Sequence, residues 1–209
     1  MIYLDHAATT PVPREVADTM YAVLTEQFGN PSAQYPFGQE MHRKVEEWRA
    51  VIARAAGCEP KQLFFTSCGT EGDNWAVHIA AHLGRHRGRH IITTAVEHAA
   101  ILEPCKALEQ QGYEVTYLLP DADGCVRIAD LEAALREDTV LVSMMLVNNE
   151  TGAIQPVRDA AAVLKRRKSR ALLHCDAVQG FLKLPFTAPG LGVDLLTVSG
   201  HKIGALKGS

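Results

Sequence analysis

Apolar runs of strand length alternate along this chain with stretches of helical period. The runs are Leu63–Ser67, His90–Thr94, Glu114–Leu119, Val140–Asn148, Ala171–Asp176 and Leu195–Ser199. Several are apolar nearly throughout, as strands covered on both faces should be. Helical spacing predicts helices over about Arg14–Gln27, Phe37–Ala56, Glu71–Leu83, Ala99–Gln111, Ile128–Leu135 and Val157–Arg167. The alternation predicts an α/β fold: a mostly parallel central sheet, right-handed crossovers, and helices on both faces. Pro120, Asp121, Asp123 and Gly124 form a turn cluster, and Gly112 follows a helix as a C-cap would. No internal repeat or linker-like stretch divides the chain.

Polar residues gather where these strands end: Thr66–Gly69, Val96–His98, Asn148–Glu150, Asp176–Gln179 and Ser199–Lys202. In open α/β sheets, ligands bind outside the carboxyl ends of the strands. The pattern therefore places these residues on one rim, where each has a functional reading and a plainer one.

At Thr66-Ser67-Cys68-Gly69-Thr70-Glu71, a strand gives way to a helix. Helix-start N–H groups bind phosphate, Gly69 permits close approach, and the Thr70 hydroxyl can donate. The alternative is Thr70 as an ordinary N-cap. Asp176 closes an apolar strand, where it can pair with a protonated ring nitrogen or cap a helix N-terminus. Gln179, three residues on, could reach the same ligand. Lys202 follows the strand Leu195–Ser199. Burial there would free its amine for Schiff-base chemistry, with Ser199 and His201 beside it able to hold phosphate; otherwise it is a solvated loop lysine. Asn149 can donate to a phenolate oxygen, or Asn148 and Asn149 simply make a turn. His98 can stack on an aromatic ring and relay protons, or merely start a helix.

His78, His82, His86 and His90 recur every four residues, but Gly84 and Gly88 interrupt the helix they would share, so no metal site is expected. Cys68 and Cys175 fall near the rim and read as small packing residues. The five cysteines are scattered without a CxxC pair, which suits free thiols and a cytoplasmic protein. The formal net charge of -3 gives no footprint for nucleic acid, and no apolar stretch is long enough to predict a membrane span. The N-terminus does not read as a signal peptide. Lys165 to Lys168 read as complementing a helix C-terminus.

Taken in order, the motifs resemble the cysteine desulfurases, a class V aminotransferase branch of the pyridoxal-phosphate (PLP) fold type I enzymes. The resemblance rests on Tyr3–Thr10, Gly29-Asn30-Pro31-Ser32, Phe65–Ser67 with Thr70-Glu71, Glu97-His98, Val147–Gly152, Asp176–Gln179 and Ser199–Lys202. It implies a PLP-binding large domain over residues 14–209, preceded by an N-terminal arm or small-domain segment at residues 1–13. It implies Lys202 as the Schiff-base lysine, Asp176 as the partner of the pyridine nitrogen, and Gln179 and Asn149 near the ring hydroxyl. Gly69, Thr70, Ser199 and His201 fall at phosphate positions, and His98 at the stacking, proton-moving histidine. The implied reaction takes L-cysteine to L-alanine and passes sulfur, as a persulfide, to an acceptor such as an iron–sulfur scaffold or to the thiolation of tRNA. A homodimer is implied as well.

Members of that family are about twice as long. The persulfide-forming cysteine and the arginine for the substrate carboxylate belong to the half not represented here, so no desulfurase activity is expected of residues 1–209 alone. Ala205-Leu206 stands where Gly-Pro is usual, and Gln34-Tyr35 lacks a commonly seen histidine. A selenocysteine lyase, another class V enzyme, or an inactive or partner-binding fragment remain alternatives.

Overall fold

The computed structural model describes residues 2–208. Five short strands form one wholly parallel sheet: β1 His90–Thr94, β2 Glu114–Leu118, β3 Thr139–Ser143, β4 Leu172–Asp176 and β5 Leu195–Thr197, in the order β2-β1-β3-β4-β5. The helices are α1 Arg14–Glu26, α2 Pro36–Ala56, α3 Gly69–Gly84, α4 Ala99–Glu109, α5 Ile128–Ala134, α6 Val157–Arg166 and the one-turn α7 Ala188–Leu191.

Period-two alternation in the strands feeds two cores, one on each face of the sheet. Ile91 joins Val77, Ala80 and Ala81 of α3 and Ile101, Cys105 and Leu108 of α4. Its neighbour Ile92 points the other way, with Val142 and Leu173, onto Leu131 of α5 and Val157, Ala160 and Val163 of α6. The strand order reverses between β2-β1 and β3-β4-β5, which creates a crevice at the carboxyl rim.

Three expectations need correction. Leu63–Ser67 is not a strand: no described strand pairs with it, the Leu63 carbonyl instead accepts from Arg49 Nη1 at 2.6 Å, and Phe64 and Phe65 stay exposed. The run Val140–Asn148 forms a strand only as Thr139–Ser143. Beyond it, Met144 and Leu146 still donate to the His174 and Asp176 carbonyls, then the chain bends and Val147 bridges antiparallel to Ile154. Residues after β5 turn into a 3-10 helix over Gly200–Lys202. The histidine series is broken as its glycines predict, because α3 stops at Gly84. His90 lies inside the sheet, bonded to the hydroxyls of Thr139 (2.8 Å) and Thr116 (2.9 Å).

Helix α1 buries no residue, and Tyr21, Leu24 and the following Phe28 are exposed. Arg166 and Arg167 reach Glu132 of α5 at 2.7 and 3.6 Å, so part of the basic cluster makes ion pairs rather than simply complementing the end of α6. No helix among the described residues is long and apolar enough to cross a membrane.

Candidate active site

The crevice at the carboxyl rim is a cavity of about 410 Å³. Every residue singled out from the sequence lines it: Gly69, Thr70, His98, Asn149, Asp176, Gln179, Ser199, His201 and Lys202. Each arrives by its own route. Gly69 and Thr70 open α3, His98 caps α4 after β1, and Asn149 lies on the bend after β3. Asp176 ends β4, and Ser199 to Lys202 follow β5.

The phosphate end is built by α3. Its N-cap is Cys68, not Thr70, and no side chain caps it by hydrogen bonding. The N–H of Glu71, with help from the Ser67 hydroxyl and the Thr70 N–H, holds the Cys68 thiol below its usual range, so the helix start favours negative charge. A Cβ on Gly69 would meet Val178 Cγ2 at 3.2 Å and Ser199 Cβ at 3.3 Å, so the bare backbone is what keeps this wall close.

Asp176 is 6% exposed, and burial pushes its carboxyl up. The Val178 N–H, His98 and Lys202 act the other way. Oδ1 accepts from the Val178 N–H at 2.9 Å, closing a turn rather than capping a helix. Lys202 is pushed down, first by desolvation and then by Lys183, against the pull of Asp5 and Asp176. His98 Nδ1 accepts from the Ala100 N–H at 3.1 Å, which puts the proton of the neutral ring on Nε2. Asn148 makes the turn, its Oδ1 accepting from the N–H groups of Glu150 (3.0 Å) and Thr151 (2.8 Å), and leaves Asn149 to line the cavity.

The sequence reading assigned the first ten residues no site role, yet Asp5, Ala7 and Ala8 form one wall. The Lys202 ammonium donates to the carbonyls of Ala7 and of Ala8, the latter at 2.9 Å, and Gln179 Nε2 donates to Ala7 at 2.9 Å. Thr9 Oγ1 meets His201 Nδ1 at 3.1 Å, Thr10 Oγ1 donates to the His201 carbonyl at 2.8 Å, and the Gly204 N–H, at positive φ, donates to Thr10 Oγ1 at 2.8 Å. Backbone carbonyls leave no side-chain signal in a sequence. Asp73, the other omission, was legible in principle: it lies four residues after Gly69, on the same helix face.

Glu97 ties the rim together. Its buried Oε1 accepts from Thr94 Oγ1 (2.8 Å) at the end of β1 and from the Met145 N–H (2.7 Å) on the segment leading to Asn149. Glu97→Ala leaves that N–H unpartnered and opens a void, an expected cost of about 3 kcal/mol. Glu97→Gln keeps the acceptor and should lose under about 1 kcal/mol. Urea midpoints of the two variants check this.

The aminotransferase class-V family model matches residues 2–209. The chain belongs to that family. It is 47% identical over 208 residues to "Cysteine desulfurase 2" of Trichormus variabilis, covering 100% of this chain and 52% of that protein. It is 45% identical to "Putative cysteine desulfurase IscS 1" of Bacillus subtilis, covering 100% and 54%. Among solved structures, a "NIFS-LIKE PROTEIN" superposes with a TM-score of 0.96 at 40% identity, over 99% of this chain and 57% of that one. "SspA in complex with cysteine" superposes at 0.93 and 34%, over 100% and 59%. This class V chain thus has the fold of NifS-like enzymes and spans about half the length of the relatives it matches.

Proposed function

We propose that this chain forms the PLP-binding part of a cysteine desulfurase. The carrying observation is the one cavity that a partly desolvated Lys202, a buried Asp176 and the start of α3 line together. The residues fit the cofactor in kind: an anion for a cationic ring nitrogen, helix-start N–H groups with Ser199 and His201 for phosphate, and an amine for the aldehyde carbon. When bound, PLP supplies an electron sink that stabilises negative charge at the substrate α-carbon.

The protein's own contribution is placement and proton control. Desolvation and Lys183 make the Lys202 amine easier to deprotonate and so nucleophilic. Asp176 would hold the ring nitrogen of bound PLP in its protonated form, the form that is the stronger electron sink. His98, with its Nε2 proton fixed by the Ala100 contact, would face the ring when PLP is bound and could carry a proton to or from the substrate. Asn149 and Gln179 attend the ring hydroxyl. The names of the relatives and the cysteine bound to one structural neighbour support L-cysteine as substrate and sulfur as the group transferred.

Among the described residues the cavity wall holds no arginine to grip a substrate carboxylate. In this reading the carboxylate grip and the persulfide thiol come from the remainder of the enzyme. A sulfur acceptor, a homodimer and the cytoplasm complete the proposal; the exposed apolar side chains on and after α1 support an association.

The test is PLP titration of the purified chain. Saturable binding with a visible-edge absorbance change is expected, without alanine or sulfide production from cysteine. No binding removes the cofactor reading, and turnover by the chain alone removes the division of labour.

A further inference from the structure

We propose that Asp73 is a positioning residue of this pocket: it keeps its proton and lies as a neutral acid behind Asp176, which carries the charge that the cofactor's ring nitrogen needs. The proposal rests on the PLP reading above and assigns a role within it to a group the reaction itself does not use.

Asp73 projects from α3 one turn after Gly69 and Thr70, toward β4 and β5, and reaches the cavity wall. It is 2% exposed, and its Oδ1 has no hydrogen-bond partner among the described residues. The nearest candidate cation is His174, whose Nε2 lies 3.6 Å from that oxygen, too far for a good hydrogen bond. His174 is fully buried and its ring is occupied by neutral partners: Nδ1 meets Ser143 Oγ at 2.9 Å, and Nε2 meets Thr197 Oγ1 at 3.0 Å. Burial pushes its pKa down to about 3, so it offers no positive charge.

The titratable groups around Asp73 are Cys68 before α3, Glu97 after β1, and His174, Cys175 and Asp176 on β4. None is a cation at neutral pH. Desolvation first, then Asp176, push the Asp73 carboxyl up to about 9, with only the Thr197 hydroxyl opposing among the causes. Asp176 differs in company: the Val178 N–H, His98 and Lys202 all favour its ionised form. Two neighbouring buried carboxyls cannot both ionise cheaply, and the Val178 N–H and the Lys202 amine stand beside only one of them. That asymmetry gives the proton to Asp73 and the charge to Asp176.

The sign of the pH effect follows. Folded Asp73 holds a proton that the unfolded chain releases above its ordinary value of 3.8, so Asp73 makes stability fall as pH rises from there to about 9. Asp73→Asn replaces a neutral acid by a neutral amide of the same shape and removes the dependence. The melting-temperature difference, variant minus parent, should therefore climb by roughly 10–20 °C between pH 5 and pH 9. Glu97, also pushed up, to about 8, by burial, shifts both proteins alike and cancels in the difference.

Infrared spectra of the parent at pH 7 should contain a protonated-carboxyl band that weakens in D73N. In PLP titrations, D73N should weaken binding only about threefold where Asp176→Asn weakens it about a hundredfold. A difference that is flat or falls with pH, a D73N protein that does not fold at neutral pH, an unchanged infrared band, or equal PLP losses in the two variants would each overturn the assignment. If the parent binds no PLP, the functional reading fails on that result, while the pH profile and the infrared band still decide where the proton sits.

Discussion

Lys202→Ala is expected to abolish covalent attachment of PLP. Borohydride reduction of the PLP-loaded parent should fix the cofactor to the peptide containing Lys202, and the variant should yield no fixed cofactor at all. The amine lines the cavity, is partly desolvated, and is held by the Ala7 and Ala8 carbonyls. Lys202→Arg serves as the control, because it preserves a cation for those carbonyls but supplies no nucleophilic amine. Fixation at another lysine of the variant, such as Lys183, would remove Lys202 from the role.

Asp176→Asn should weaken PLP binding about a hundredfold at pH 7, since breaking one side of a buried, hydrogen-bonded charge pair costs about 2–5 kcal/mol. The amide oxygen can still accept from the Val178 N–H, so the turn at residues 176–178 is retained and the measurement isolates the charge. Fluorescence or absorbance titration reads the dissociation constant. A loss under about threefold would mean that no cationic nitrogen faces this carboxylate.

Legibility followed the range of the forces involved. His90–Thr94 and Leu172–Asp176 were readable because strands buried on both faces carry few charged side chains, Glu114–Leu118 because its β-branched and aromatic residues suit a half-exposed edge strand, and the chemistry was readable because it sits where strands stop. Leu63–Ser67 has the same local pattern and is no strand, since a strand exists only where a neighbour pairs with it. Val140–Asn148 ran too long in the sequence reading for the same reason: the ladder of β3 ends at Ser143, though single hydrogen bonds to the β4 segment continue. Thr70 was weighed as a cap on composition alone, whereas the helix begins one residue earlier, at Gly69. Asp73 and His174 read as ordinary members of a helix and a strand. Their burial beside Asp176 is a tertiary fact, as is the use of the Ala7 and Ala8 carbonyls.

The wall that residues 5–10 contribute is closed by contacts across 191 to 195 positions of sequence, from Ala7 and Thr10 to His201, Lys202 and Gly204. During translation the first partner leaves the ribosome roughly 10–40 s before the last, at ordinary elongation rates. A nascent chain that has emerged as far as β4 can already pair β1 to β4 and pack α3 to α6 onto them, yet its pocket still lacks a side. In the proposed function, cofactor capture would follow completion of this polypeptide segment rather than collapse of its core.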